Sequence, residues 1–127
     1  MRILLADDQP EVRTGLRLLF EQEPDMRIVG EIGDLQGLPT EVARVQPDLL
    51  LIDWELSPLK MGDTLPILKR IHPGLRIVAL SGRPEGRKTA LASGADAFVS
   101  KGDPPERVLA VLRREVRPET GGGSRAV

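Results

Sequence analysis

The sequence predicts an open, doubly wound α/β sandwich: a five-stranded parallel sheet with helices on both faces. Three observations carry that prediction: short apolar runs at regular intervals, helical periodicity between them, and turn signals at the junctions. The runs are Ile3 to Ala6, Arg27 to Gly30, Leu49 to Ile52, Ile77 to Leu80 and Ala97 to Val99. Three of them are near-continuous Ile, Leu and Val without polar alternation, the mark of strands buried on both faces. Such strands require helices above and below the sheet.

The intervening segments meet that requirement. Val12, Leu16, Leu19 and Phe20 recur at i, i+4, i+7 and i+8, one face of a first helix. Leu38 to Val45, Leu65 to Ile71 and Glu85 to Ala92 supply the next three, the last short, rich in small residues and expected to be the most mobile. Val108, Val111 and Leu112 define a fifth helix, and Asp103-Pro104-Pro105-Glu106 reads as its N-cap, a proline at N1 and an acid at N3. Pro24-Asp25, Pro47-Asp48, Pro73-Gly74 and Ser93-Gly94 punctuate the alternation.

Length and charge narrow the function classes. At 127 residues the chain has the size of one domain, expected over residues 1–117, with no room for a second folded output domain. Residues 118–127, containing Gly121-Gly122-Gly123-Ser124, have linker composition and are expected to be a disordered tail. A formal net charge of −1 lacks the basicity of a nucleic-acid footprint, so no direct nucleic-acid contact is expected. The absence of cysteine excludes disulfides, thiolate metal sites and cysteine nucleophiles. No apolar run approaches the roughly 20 residues that span a bilayer, and Asp7 interrupts the opening run, so no membrane association and a cytoplasmic location are expected. The single histidine, His72, lies in a Pro-Gly turn and is expected at the surface, which excludes a Ser-His-Asp triad, a multi-histidine metal site and a phospho-histidine donor helix.

In a doubly wound sheet, the loops after the carboxyl ends of the strands build the ligand site. Here those loops carry Asp7 and Asp8, Asp53, Ser81, and Ser100 with Lys101. Three acids at one edge repel each other unless a cation neutralises them, and an all-oxygen donor set suits Mg²⁺. One of the carboxylates could then act as a nucleophile toward phosphorus, with a lysine and a hydroxyl on the phosphoryl oxygens. Each residue also has a plainer reading. Asp8 could help cap the first helix, Asp53 could be a structural acid, Ser81 a turn residue and Lys101 a solvated lysine. Their joint arrival at one sheet edge weighs against coincidence.

Ala-Asp7-Asp8, Leu-Ile-Asp53, Ala-Leu-Ser81-Gly82 and Ala-Phe98-Val-Ser-Lys101, in that order, resemble the receiver domains of bacterial two-component response regulators over roughly residues 2–116. The style is nearest to receivers attached to LuxR/NarL-type helix-turn-helix domains. The resemblance implies a flavodoxin-like, CheY-like fold and a place in a phosphorelay. It implies Asp53 as phospho-acceptor, Asp8 as a direct Mg²⁺ ligand, Asp7 acting on the metal mostly through water, and the main-chain carbonyl of Glu55 as a further ligand. Lys101 would pair with the phosphoryl oxygens, Ser81 would swing in to bind them, and Phe98 would be the coupled aromatic switch. Phe98 also has a plainer reading as core of the last strand, since it lacks the hydroxyl of the common tyrosine. The implied phosphoryl donor is a histidine kinase or phosphotransfer protein. The implied output is a changed helix 4 to helix 5 face for a downstream protein or a second copy. No enzyme is expected beyond Mg²⁺-dependent transfer to, and hydrolysis from, the chain's own aspartate. The alternative is a pseudo-receiver, an interaction adaptor working without phosphorylation.

One departure stands out. The loop after Asp53 reads Trp-Glu-Leu-Ser-Pro-Leu-Lys-Met-Gly and is one residue longer than the pattern, placing Pro58 and Gly62 one position late. The Glu55 side chain adds negative charge there, and either repels phosphate or orients a hydrolytic water. Trp54 either flanks the site or packs against a helix.

Overall fold

The computed structural model describes residues 1–56 and 60–116. Its elements alternate without exception: β1 (Arg2–Ala6), α1 (Pro10–Glu21), β2 (Arg27–Ile32), α2 (Leu38–Val45), β3 (Leu49–Asp53), α3 (Met61–Ile71), β4 (Arg76–Ser81), α4 (Gly86–Ala92), β5 (Ala97–Ser100) and α5 (Pro105–Glu115). Pro58 and the expected disordered tail over 118–127 lie outside the described residues. All strand pairings are parallel, in the order β2-β1-β3-β4-β5. The doubly wound α/β sandwich is therefore present as the sequence predicts.

Strand alternation divides the core into two layers. Leu4, Ala6, Leu50, Ile52, Ile77, Ala79 and Phe98 point to the face covered by α2, α3 and α4. Ile3, Leu5, Leu49, Leu51, Val78, Leu80 and Val99 point to the face covered by α1 and α5. All five residues of β3 are buried, which is why its run reads as continuously apolar up to Asp53. Each fully buried leucine contributes roughly 2 kcal/mol of hydrophobic stabilisation, so the central strands anchor the edge on which the site is built.

Two helix starts differ from expectation. α3 begins at Met61, four residues before Leu65, and buries Met61, Leu65 and Leu68 at helical spacing. Pro66 lies inside it, and a proline there reads from sequence as a break because it removes one intrahelical hydrogen bond. In α5 the N-cap is Pro104 and N1 is Pro105, one residue later than Asp103 and Pro104. The Asp103 carboxylate instead accepts the Ser100 N–H at 2.9 Å and closes the turn after β5. His72 also departs from expectation: it is half-buried at the end of α3, with Nε2 2.7 Å from the Pro47 carbonyl oxygen.

Candidate functional site

The strand order turns back at β1, which lies between β2 and β3 although it precedes both in the chain. The crevice outside the carboxyl ends of β1 and β3 is the topological switch point, where such sheets bind ligands. Register brings Ala6 opposite Ile52, so Asp7 emerges beside Asp53. On the other side Asp53 pairs with Leu80 and Ser81 with Ser100, which places Ser81 and Lys101 along the same edge. The Lys101 N–H donates to the Ser81 carbonyl at 2.8 Å and continues this ladder past the strand end.

Asp7, Asp8 and Asp53 each offer a carboxylate oxygen, and these atoms lie within 4.8 Å of one another. Asp7 and Asp53 are 2% and 3% exposed, whereas Asp8 faces solvent. The Asp7 Oδ1 accepts the Gln9 N–H at 2.9 Å, while its Oδ2 is buried without a hydrogen-bond partner among the described residues. Lys101 Nζ stands 3.7 Å from that orphaned oxygen and 3.6 Å from Asp53 Oδ1, and donates to Gln9 Oε1 at 3.2 Å. Asp53 Oδ1 also accepts the Glu55 N–H at 3.0 Å. Burial pushes the Asp53 carboxyl above the ordinary carboxylate range, with the Asp7 and Glu55 charges acting the same way; the Glu55 N–H and the Lys101 ammonium oppose them.

A hard divalent cation fits this donor set. Among the described residues, three clustered carboxylates face one ammonium, all the side-chain donors are oxygen, and a buried carboxylate oxygen is left without a hydrogen bond. The plainer readings give way in part. The N-cap of α1 is Gln9 and no side chain caps it, so Asp8 does not serve that purpose. Lys101 stays a quarter exposed but is held among Gln9, Asp7 and Asp53. Ser81 does form a turn, since its hydroxyl oxygen accepts the Arg83 N–H at 2.9 Å.

Two contacts at this edge are not legible in the sequence. Gln9 carries both a main-chain bond to Asp7 and a side-chain bond from Lys101, a role that nothing in its residue type announces. The Glu55 carboxylate accepts the Ser81 hydroxyl through Oε2 and the Gly82 N–H through Oε1 at 3.3 Å, bridging the loops that follow β3 and β4. Its excess negative charge was legible, its partner was not. Trp54 is buried in the layer that contains Phe98 and Ala90. A Cβ built on Gly86, the first residue of α4, would lie 3.5 Å from both Ser81 Oγ and Trp54 Cδ1 and 3.9 Å from Phe98 Cε1. Ser81, Trp54 and Phe98 thus meet beneath the start of α4.

Comparison with known proteins agrees with this geometry. The family model described as the response regulator receiver domain matches residues 3–113. The nitrate/nitrite response regulator protein NarL of Escherichia coli K12 is 36% identical over 121 residues, covering 92% of this chain and 55% of that protein. The chain therefore spans about half the length of the relatives it matches. A LuxR-family two-component response regulator from Aurantimonas sp. SI85-9A1 superposes with a TM-score of 0.80 at 24% identity, covering 89% of this chain and 82% of that one, a likeness of fold. The isolated receiver of RcsB from Salmonella enterica serovar Typhimurium, solved in the presence of the phosphomimetic BeF3−, superposes with a TM-score of 0.75 at 26% identity, covering 90% and 88%. With the fold, the acidic edge and the family match in agreement, the chain belongs to the response regulator receiver domain family.

Proposed function

We propose that this chain is the phospho-accepting receiver, over residues 1–117, of a NarL-type two-component phosphorelay, with Asp53 as acceptor. The observation that carries the proposal is the placement of Asp53: it ends the central strand, 3.6 Å from the Lys101 ammonium, with Asp7 and Asp8 oxygens clustered beside it. An Asp53 carboxylate oxygen attacks the phosphorus of a phospho-histidine on a histidine kinase or phosphotransfer protein. The O–P bond forms as the P–N bond breaks, and the electron pair returns to the donor imidazole. Lys101 neutralises charge on the phosphoryl oxygens, and the Ser81 hydroxyl donates to one of them. Asp7, Asp8, Asp53 and the Glu55 carbonyl would hold Mg²⁺, which supplies positive charge against the same oxygens when bound. Hydrolysis returns Asp53 to the carboxylate, so the only turnover is on the chain's own residue.

The signal leaves through the face of α4, β5 and α5. Ser81 and Phe98 both reach the start of α4, a seven-residue helix with one buried residue, Ala90. Drawing Ser81 toward a phosphoryl group shifts the balance between packings of that helix and changes the surface offered to a downstream protein or a second copy. The chain itself makes no nucleic-acid contact in this scheme, and it acts in the cytoplasm. Among the described residues no helix is long and apolar enough to cross a membrane. The test is intact mass after incubation with Mg²⁺ and acetyl phosphate or phosphoramidate. A labile gain of one phosphoryl group, absent from Asp53→Ala, supports the proposal; no gain at any time point rejects it.

A further inference from the structure

One side chain ties together the two loops that flank the acceptor. Glu55 reaches from the loop after β3 to the loop after β4, where its carboxylate takes the Ser81 hydroxyl and the Gly82 N–H. Ser81 is completely buried, so water does not compete for its hydroxyl. A serine hydroxyl has one proton to donate. Among the described residues, the Arg83 carbonyl, 3.3 Å from Ser81 Oγ, is the other acceptor of that hydroxyl, but a carboxylate makes the stronger, charge-assisted bond. While Glu55 holds that proton, Ser81 has none for an oxygen on Asp53.

We propose that the Glu55 side chain is a built-in competitor of the phosphoryl group. Its carboxylate satisfies the donors of the loop after β4 in the unphosphorylated chain, and it must be expelled before Ser81 closes on phosphate. The proposal rests on Asp53 being the acceptor. Glu55 touches neither the reacting phosphorus nor its donor, so it is a positioning residue acting through Ser81. Its effect is to raise the threshold for the switched arrangement and to hold the start of α4 in the resting one. This differs from both roles that its charge alone suggested, repelling phosphate or orienting water, because it depends on reach as well as charge.

Reach and charge separate experimentally. Glu55→Asp keeps the charge and shortens the side chain by one methylene, so it cannot span to Ser81 and Gly82. Glu55→Gln keeps the reach and a neutral acceptor but removes the charge. Glu55→Ala removes both. Beryllofluoride affinity in the presence of Mg²⁺ is measured by calorimetry for the intact chain and the three variants. Release of one charge-assisted bond is expected to tighten binding about tenfold in Glu55→Ala and Glu55→Asp, with Glu55→Gln the smaller gain. In the metal-free protein, the Gly82 amide resonance is expected to move in Glu55→Asp. If Glu55→Gln matches Glu55→Ala while Glu55→Asp matches the parent, simple repulsion explains the residue and the competitor role is overturned. Equal affinities in all four chains, or an unmoved Gly82 amide, overturn it as well. Binding by none of the four, with all of them folded, instead overturns the reading of Asp53 on which the proposal rests.

Discussion

The Lys101 ammonium lies 3.6 Å from the Asp53 carboxylate and serves Asp7 at nearly the same distance, 3.7 Å. Among the described residues, one ammonium therefore serves two buried carboxylates, and the exposed Asp8 carboxylate clusters with them.

Asp53 carries its charge at a disadvantage, since burial raises its carboxyl above the ordinary range. An acid whose folded pKa lies above its unfolded one binds protons more readily when folded. The fold then loses stability as pH rises from the unfolded pKa through the folded one, and regains it as pH falls back. Asp53→Asn removes the buried charge and keeps the shape. In metal-free buffer at neutral pH it is expected to be more stable than the parent by about 1 kcal/mol in urea denaturation. The difference should shrink as pH is lowered through the folded pKa of Asp53. Equal stability at neutral pH would show that Lys101 fully compensates the burial.

Mg²⁺ is expected to stabilise the parent chain by about 1.4 kcal/mol at roughly ten times its dissociation constant, through binding to the folded state alone. Asp8 separates metal binding from folding. It is exposed and caps no helix, so Asp8→Asn is expected to change metal-free stability by less than about 0.5 kcal/mol. The Mg²⁺-dependent rise in melting temperature should be lost in the same variant. A full rise in Asp8→Asn would remove Asp8 from the ligand set.

What the sequence showed and what it hid divides along physical lines. The runs of β1, β3 and β4 were legible because strands buried on both faces leave no polar alternation to confuse them. Asp7, Asp53, Ser81 and Lys101 were legible as a set because topology sends every strand end to one edge. The start of α3 was obscured because Pro66 reads as a break, although Met61 and Leu65 share a helical face. The α5 cap lies one residue beyond its expected position because two successive prolines fit N1 equally well on propensity. Side-chain choices such as Glu55 on Ser81 and Gln9 on Lys101 depend on distances across loops, which no one-dimensional spacing records.

Gly94 closes α4 at φ +114°, a backbone conformation open to glycine, with its N–H on the Leu91 carbonyl at 3.2 Å. Space is not the constraint, since an added Cβ would make only ordinary contact with Leu65 at 3.6 Å. Gly94→Ala is therefore expected to cost about 1 kcal/mol or more through backbone strain alone, read as a lower urea midpoint with unchanged slope. No loss would mean that the turn relaxes to negative φ.

Asp96 organises the opposite end of the sheet from Asp53. Its N–H donates to the Ile77 carbonyl at 2.7 Å, and its Oδ2 accepts the Ile77 N–H at 2.7 Å, so one residue extends the β4–β5 ladder before Ala97. Lys69 of α3 then binds both carboxylate oxygens, at 2.8 and 2.9 Å, and pins the helix to the sheet. Asp96→Ala would leave the Ile77 N–H unpaired in a residue with no solvent exposure and remove the partner of Lys69, whose side chain is 34% exposed, at a combined cost of about 2–3 kcal/mol. Asp96→Asn keeps an oxygen for Ile77 and loses mainly the ion pair, so about 1 kcal/mol is expected. Because this anchor lies at the amino ends of β4 and β5, phosphoryl uptake from acetyl phosphate by the folded fraction should match the parent in both variants. A smaller loss in Asp96→Ala than in Asp96→Asn would contradict the anchor, since only the alanine removes the acceptor from Ile77.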